Sequence, residues 1–121
     1  MKNLAQLRAL HAKEWAPSVK SGEGGSRAIA KKVPAQIIQN GFLGAFAFAL
    51  EGNEGHLSVF KGVIQHLALI KKEGFDFGVA KLESNNPEAF FSELCSKSSD
   101  VLRSITAEAM EYLNYLRRFV K

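Results

Sequence analysis

Apolar residues along this chain recur at three- and four-residue steps, the spacing that holds them on one face of an α-helix. Leu4, Leu7, His11, Trp15 and Val19 mark a first helix, and Pro17 predicts a kink in its last turn. The run SGEGG at 21–25 is a flexible break, after which Ser26 reads as the N-cap of a second helix. That helix carries Ile29, Val33 and Ile37 on one side and stops at Asn40-Gly41. Pro34 inside it predicts a kink, because proline removes an i−4 hydrogen bond and pushes Val33 from the helical region. A short, almost wholly apolar third helix runs from about Phe42 to Leu50 and is closed by EGNEG. Leu57, Phe60, Val63, Ile64, Leu67 and Ile70 mark a fourth, which stops near Gly74. Asn86-Pro87-Glu88 reads as N-cap, N1 proline and first-turn acid of a fifth. The last helix, from about Ser99 to Val120, keeps Leu102, Ile105, Ala109, Tyr112, Leu113, Leu116 and Phe119 in helical register.

Phe75, Phe77 and Val79 alternate like a strand, but no second alternating run could pair with them. They read as an apolar loop docked on the core. The most apolar stretch, FLGAFAFAL at 42–50, has nine residues where a membrane-spanning helix needs about twenty. The first 16 residues are interrupted by Arg8, His11, Lys13 and Glu14, so no signal-peptide core is present there. The expected architecture is all-α: a compact single-domain bundle of about five to six helices over residues 1–121.

Composition narrows the class. With 121 residues, 46% hydrophobic and 23% charged, the chain is one ordinary globular domain, which excludes wholesale disorder and collagen-like composition. The lone Cys95 makes no intramolecular disulfide and is too few for a thiolate metal cage, consistent with a reducing, cytoplasmic setting. The net charge of +4 is unevenly spread. Residues 1–40 carry +5, residues 41–100 carry −3 and residues 101–121 carry +2. The surface is therefore polarised, basic at both ends of the chain and acidic between.

Candidate chemistry is sparse. His11, His56 and His66 are the only histidines, and no two stand at the i, i+4 spacing of a helical zinc site. His11 lies on the apolar stripe of the first helix and reads as a packed, hydrogen-bonded side chain. Cys95, with Phe91 one turn back, reads as a small buried hydrophobe. Glu108 and Glu111, three apart, read as a solvated helix face. The GEGGS run at 22–26 lacks the Gly-Lys-Ser/Thr ending of a phosphate loop and follows no strand. Gly41-Phe42-Leu43-Gly44 matches only the bare GXXG clamp, which needs a sheet behind it. A helix-turn-helix at Asn40-Gly41 would present FLGAFAFAL to a groove, with no Arg, Lys, Asn or Gln for a base edge. A small enzyme would need a cleft gathering His11, His56 or His66 with carboxylates. No metal or cofactor is expected.

The cations are more informative. On a continuous first helix Lys2, Lys13 and Lys20 would align opposite His11 over about 27 Å of axis. Arg27 and Lys31, with Lys32 beside them, lie opposite the apolar face of the second helix. Arg103, Arg117, Arg118 and Lys121 gather with Asn114 opposite the stripe of the last. Such faces suit phosphate contacts that position a nucleic acid without reading bases, and equally suit plain solvation.

Two stretches add a family resemblance. Residues 31–41, KKVPAQIIQNG, followed by the apolar 42–50, resemble a basic/apolar–Pro–x–x–Ile–x–x–Asn–Gly–apolar signature. Residues 105–119, ITAEAMEYLNYLRRF, look like the matching C-terminal helix. Together they are similar to the small helical subunit of type III-B CRISPR effector complexes, the fifth of the Cmr module. Tyr115 stands where that pattern often has Trp, and Phe42 where it has Leu; both keep a large apolar or aromatic group. Residues 51–98 carry no signature of the family.

The resemblance implies an all-α, non-enzymatic subunit that stacks in copies along a guide-RNA filament, beside the backbone subunits, and lines the target strand. The residues expected to touch the RNA backbone are Lys13, Lys20, Arg27, Lys31, Lys32, Arg117 and Arg118. The implied partners are the other effector subunits, further copies of the chain and RNA, with no membrane. The alternative is a helical protein–protein adaptor whose basic faces are merely solvated.

Overall fold

A computed structural model, describing residues 2–21 and 24–121, contains five α-helices and no strand among those residues. They are α1 (Leu4–Trp15), α2 (Ser26–Leu50), α3 (Glu54–Lys72), α4 (Pro87–Cys95) and α5 (Ser99–Phe119), with a 3₁₀ turn at Ala16–Ser18. The all-α expectation is met. Residues 22 and 23 of the expected flexible break lie outside the described residues.

The helix ends follow local chemistry. Asn3 and Gln6 exchange side-chain and backbone hydrogen bonds at 2.8 and 2.9 Å, a capping box that starts α1. Pro17 does more than kink this helix. Lacking an N–H, it ends α1 at Trp15, and the chain tightens into 3₁₀ before Val19 turns extended. Lys20 is therefore off the helix and Lys2 precedes its cap, so the expected Lys2–Lys13–Lys20 stripe does not form. Ser26 is the first residue of α2 rather than its N-cap. Gly25 caps, and the Ser26 hydroxyl donates to the Val19 carbonyl at 3.2 Å.

Pro34 also departs from expectation. The backbone passes through it with helical dihedrals, because the fixed φ of proline is itself helical and only one hydrogen bond is lost. The break in α2 falls at Gly41 instead, with φ 79° and ψ 163°, where the Asn-Gly stop signal stands. This region of backbone space is essentially confined to glycine. α2 is long and apolar enough to cross a membrane, with a mean hydropathy of 1.3 over its most apolar window. Here it instead packs along α3 and gives Ile29, Val33, Ile37, Phe42 and Phe46 to the core.

At the centre, Phe46 stacks on Phe60 with ring centroids 4.7 Å apart, and Phe42 meets Phe60 edge-on at 5.5 Å. Asn86 caps α4 by accepting from the Ala89 N–H, with Pro87 following as expected. The connection between α3 and α4 is the apolar loop expected from Phe75, Phe77 and Val79. Val79 is buried, and Glu93 of α4 accepts from the N–H groups of Ala80 and Lys81 at 2.9 and 2.6 Å. Burial pushes the Glu93 pKa up, but these N–H donors and the Lys97 ammonium outweigh it and hold the carboxyl below its ordinary value.

Candidate functional site

Each of the seven expected contact residues is exposed, on three helices and the segment between two of them. They do not form one stripe. Lys13 in the last turn of α1 and Lys121 just beyond α5 flank an open groove of about 460 Å³, which Ser26, Phe119 and Val120 also line. Arg117 and Arg118 occupy the last turn of α5, and Arg27 follows Ser26 in the first turn of α2. A second groove, of about 570 Å³, lies between α2 and α3 and is lined by Lys32, Gln36, Phe48 and His56. Lys20 stands near it, paired at 3.9 Å with Glu54. The fold thus brings the end of α1, the start of α2 and the end of α5 to one place. Lys20 and Lys32 flank a different one.

Inside the molecule lies a cluster that sequence reasoning missed. The Arg8 guanidinium donates from Nε and Nη2 to the two carboxylate oxygens of Glu108 at 2.8 and 2.7 Å. His66 Nε2 meets Glu108 Oε2 at 2.9 Å, and His66 Nδ1 meets His11 Nδ1 at 2.8 Å. The His66 ring also stacks on Tyr112 at 4.6 Å. Glu108, only 4% exposed, is not part of a solvated face; Glu111 is, at 62%. Burial raises the Glu108 pKa, but its bonds from Arg8 and His66 reverse the sign and keep it below the ordinary value.

An ionised Glu108 only accepts, so His66 Nε2 carries a proton. With both rings neutral, His66 Nδ1 is bare and accepts from the N–H at His11 Nδ1. Burial is the main cause that lowers the His11 pKa. His11 is thus the packed, hydrogen-bonded histidine that its place on the stripe implied. His56, separate from this cluster, bonds Gln36 of α2 at 3.1 Å, and burial lowers its pKa as well.

Chemically the cluster is a joint between α1, α3 and α5. It gathers two histidines with a carboxylate, but both carboxylate oxygens are engaged, and the group that His66 bonds beyond Glu108 is an imidazole, not a hydroxyl or thiol. Among the described residues, no group of three His, Cys, Asp or Glu side chains could hold a metal ion. Cys95 proves exposed rather than buried, because α4 turns Phe90 and Leu94 inward. A signal for the cluster was present. Glu108 is three residues after Ile105 and four before Tyr112, on the apolar stripe of α5, and His66 holds the same relation to Val63 and Ile70.

Fold and site together define a small all-α protein with a polar joint inside, Arg8 included, and most of its other cations displayed outside. The chain belongs to the family described as CRISPR-associated protein (Cas_Cmr5), whose model matches residues 4–121. It is thus a small subunit of type III-B CRISPR effector complexes, which contain further subunits. No curated protein and no solved structure matches the chain.

Proposed function

We propose that the chain is a non-catalytic subunit that stacks along the effector filament beside the guide-binding backbone subunits and lines the target-RNA path. The observation that carries this reading is the exposure of Lys13, Lys20, Arg27, Lys31, Lys32, Arg117 and Arg118, while the buried Glu108 is engaged by Arg8 and His66. Exposed cations on rigid helices attract a phosphate backbone without reading its sequence, which base pairing with the guide supplies. The exposed Cys95 suits action in a reducing, cytoplasmic compartment.

Reversing the charge at Lys31, Lys32, Arg117 and Arg118 is expected to weaken retention of target RNA by the assembled complex. It should also flatten the salt dependence, because fewer counterions are released on binding. Filter binding across several salt concentrations checks this; unchanged affinity throughout rules these contacts out.

A second reading, a helical adaptor with no nucleic-acid role, draws support from α2, where Ile38 is 75% exposed and Phe48 42%. Co-purification separates the two. Guide RNA together with the large effector subunits supports the first, and a single protein partner without RNA supports the second.

A further inference from the structure

Phe119 ends the apolar stripe of α5 differently from the residues before it. Leu113 and Leu116 are buried, whereas Phe119 is 38% exposed. It lines the groove of about 460 Å³ where the end of α5 meets the end of α1, within the size range of small-molecule sites, roughly 300–1,000 Å³. Ala16, Val19 and Val120, all buried, give that groove its apolar lining. Lys13 and Lys121 line it as well, Arg117 and Arg118 immediately precede Phe119, and no acidic side chain lines it among the described residues.

An apolar peptide would suit the lining alone, but it gives the surrounding cations nothing to pair with. A nucleotide satisfies both, offering a flat π-face to the ring and phosphates to the ammonium groups. This pairing of aromatic platform and cationic groove is how single strands are held without sequence preference. We propose that the groove takes one unstacked nucleotide of single-stranded RNA, its base laid on Phe119 and its phosphates beside Lys13 and Lys121. The inference rests on the RNA-path reading above and adds to it a base contact and a defined place for it. Because every base has a π-face, the contact tolerates any target sequence.

The test uses effector complexes reconstituted with the full-length chain and crosslinked by light to target RNA carrying 4-thiouridine. The crosslinked residues are then mapped by mass spectrometry. The expected result is a crosslink within residues 119–121, with its yield reduced roughly fivefold or more by F119L and restored by F119W. F119L keeps an apolar side chain at a partly exposed position, and equal incorporation of wild-type and variant chains shows that folding is intact. Crosslinks at Lys31, Lys32 or other basic residues away from the groove, with none at Lys13 or 119–121, overturn the groove inference and leave the RNA-path reading standing. No crosslink anywhere on this chain overturns both. Should the F119L chain fail to enter the complex, a chain with K13E and K121E is scored in its place, and an unchanged crosslink yield at 119–121 overturns the inference.

Discussion

Glu108 shows how one residue ties three elements together. Its carboxylate is nearly inaccessible, and both oxygens are engaged by Arg8 and His66. Replacing it with alanine leaves the partly buried guanidinium of Arg8 and the ring of His66 without their acceptor. Breaking one partner of a buried ion pair typically costs about 3–5 kcal/mol. The expected loss for Glu108→Ala is near the lower figure, since Arg8 stays 18% exposed, and urea denaturation measures it. Tyr112 predicts the opposite sign. Its hydroxyl is buried with no hydrogen-bond partner among the described residues, and burial holds its pKa far above the ordinary phenol value. Tyr112→Phe removes an unsatisfied polar atom and keeps the stacked ring, so it is expected to be neutral or stabilising by up to ~1 kcal/mol. A lowered midpoint in the same denaturation series would show that the hydroxyl is bonded in solution.

At the scale of elements, three residues that commonly break helices act differently. Pro17 terminates α1 because it has no N–H to continue the helical ladder, and the chain tightens into a 3₁₀ turn there. Pro34 sits inside α2 without disturbing its dihedrals, and Gly41 divides that helix by adopting a positive φ. Gly41→Ala is expected to cost roughly 1–3 kcal/mol through backbone strain alone, since a Cβ there meets nothing within 4 Å. Thermal melting checks it. Gly62 is the contrasting case. A Cβ on this α3 residue would fall 2.5 Å from the Trp15 ring, so contact between helices demands glycine there, not its backbone freedom. The Asn-Gly stop was legible because its chemistry is local. The roles of Pro34 and Gly62 were not, since one depended on whether the helix tolerates a single lost bond and the other on which helix packs opposite.

For the whole molecule, the buried histidines make stability depend on pH. His11 and His56 both have pKa values lowered from 6.5 by burial, so the unfolded chain binds protons that the folded state resists. Their contribution is complete above the unfolded value and declines as pH falls below it. Glu108, whose pKa is lowered from 4.5, adds a second decline as pH falls further through its folded value. Denaturation at about pH 7.5 and about pH 5.5 is expected to show the first loss, and a His11→Gln, His56→Gln chain should show less of it. Equal losses in both chains would assign the pH dependence to other groups.

The amino-acid sequence alone determined the helical class, the position of nearly every helix, the docked loop at residues 75–79 and the family. Helical periodicity, caps and stop signals act over one or two turns, and the two motif stretches are contiguous. Only the tertiary structure decided which charges are inside. Arg8 and Glu108 are 100 residues apart, and His11 and His66 are 55 apart, so no local pattern announces that they meet. The same holds for the cations. Helical wheels place each on an outward face, and all seven are exposed, but only the packing of α1 along α5 separates Lys13 and Lys121 at one groove from Lys32 at another. Charge on a face follows from spacing along one helix; charge at a site depends on how helices cross.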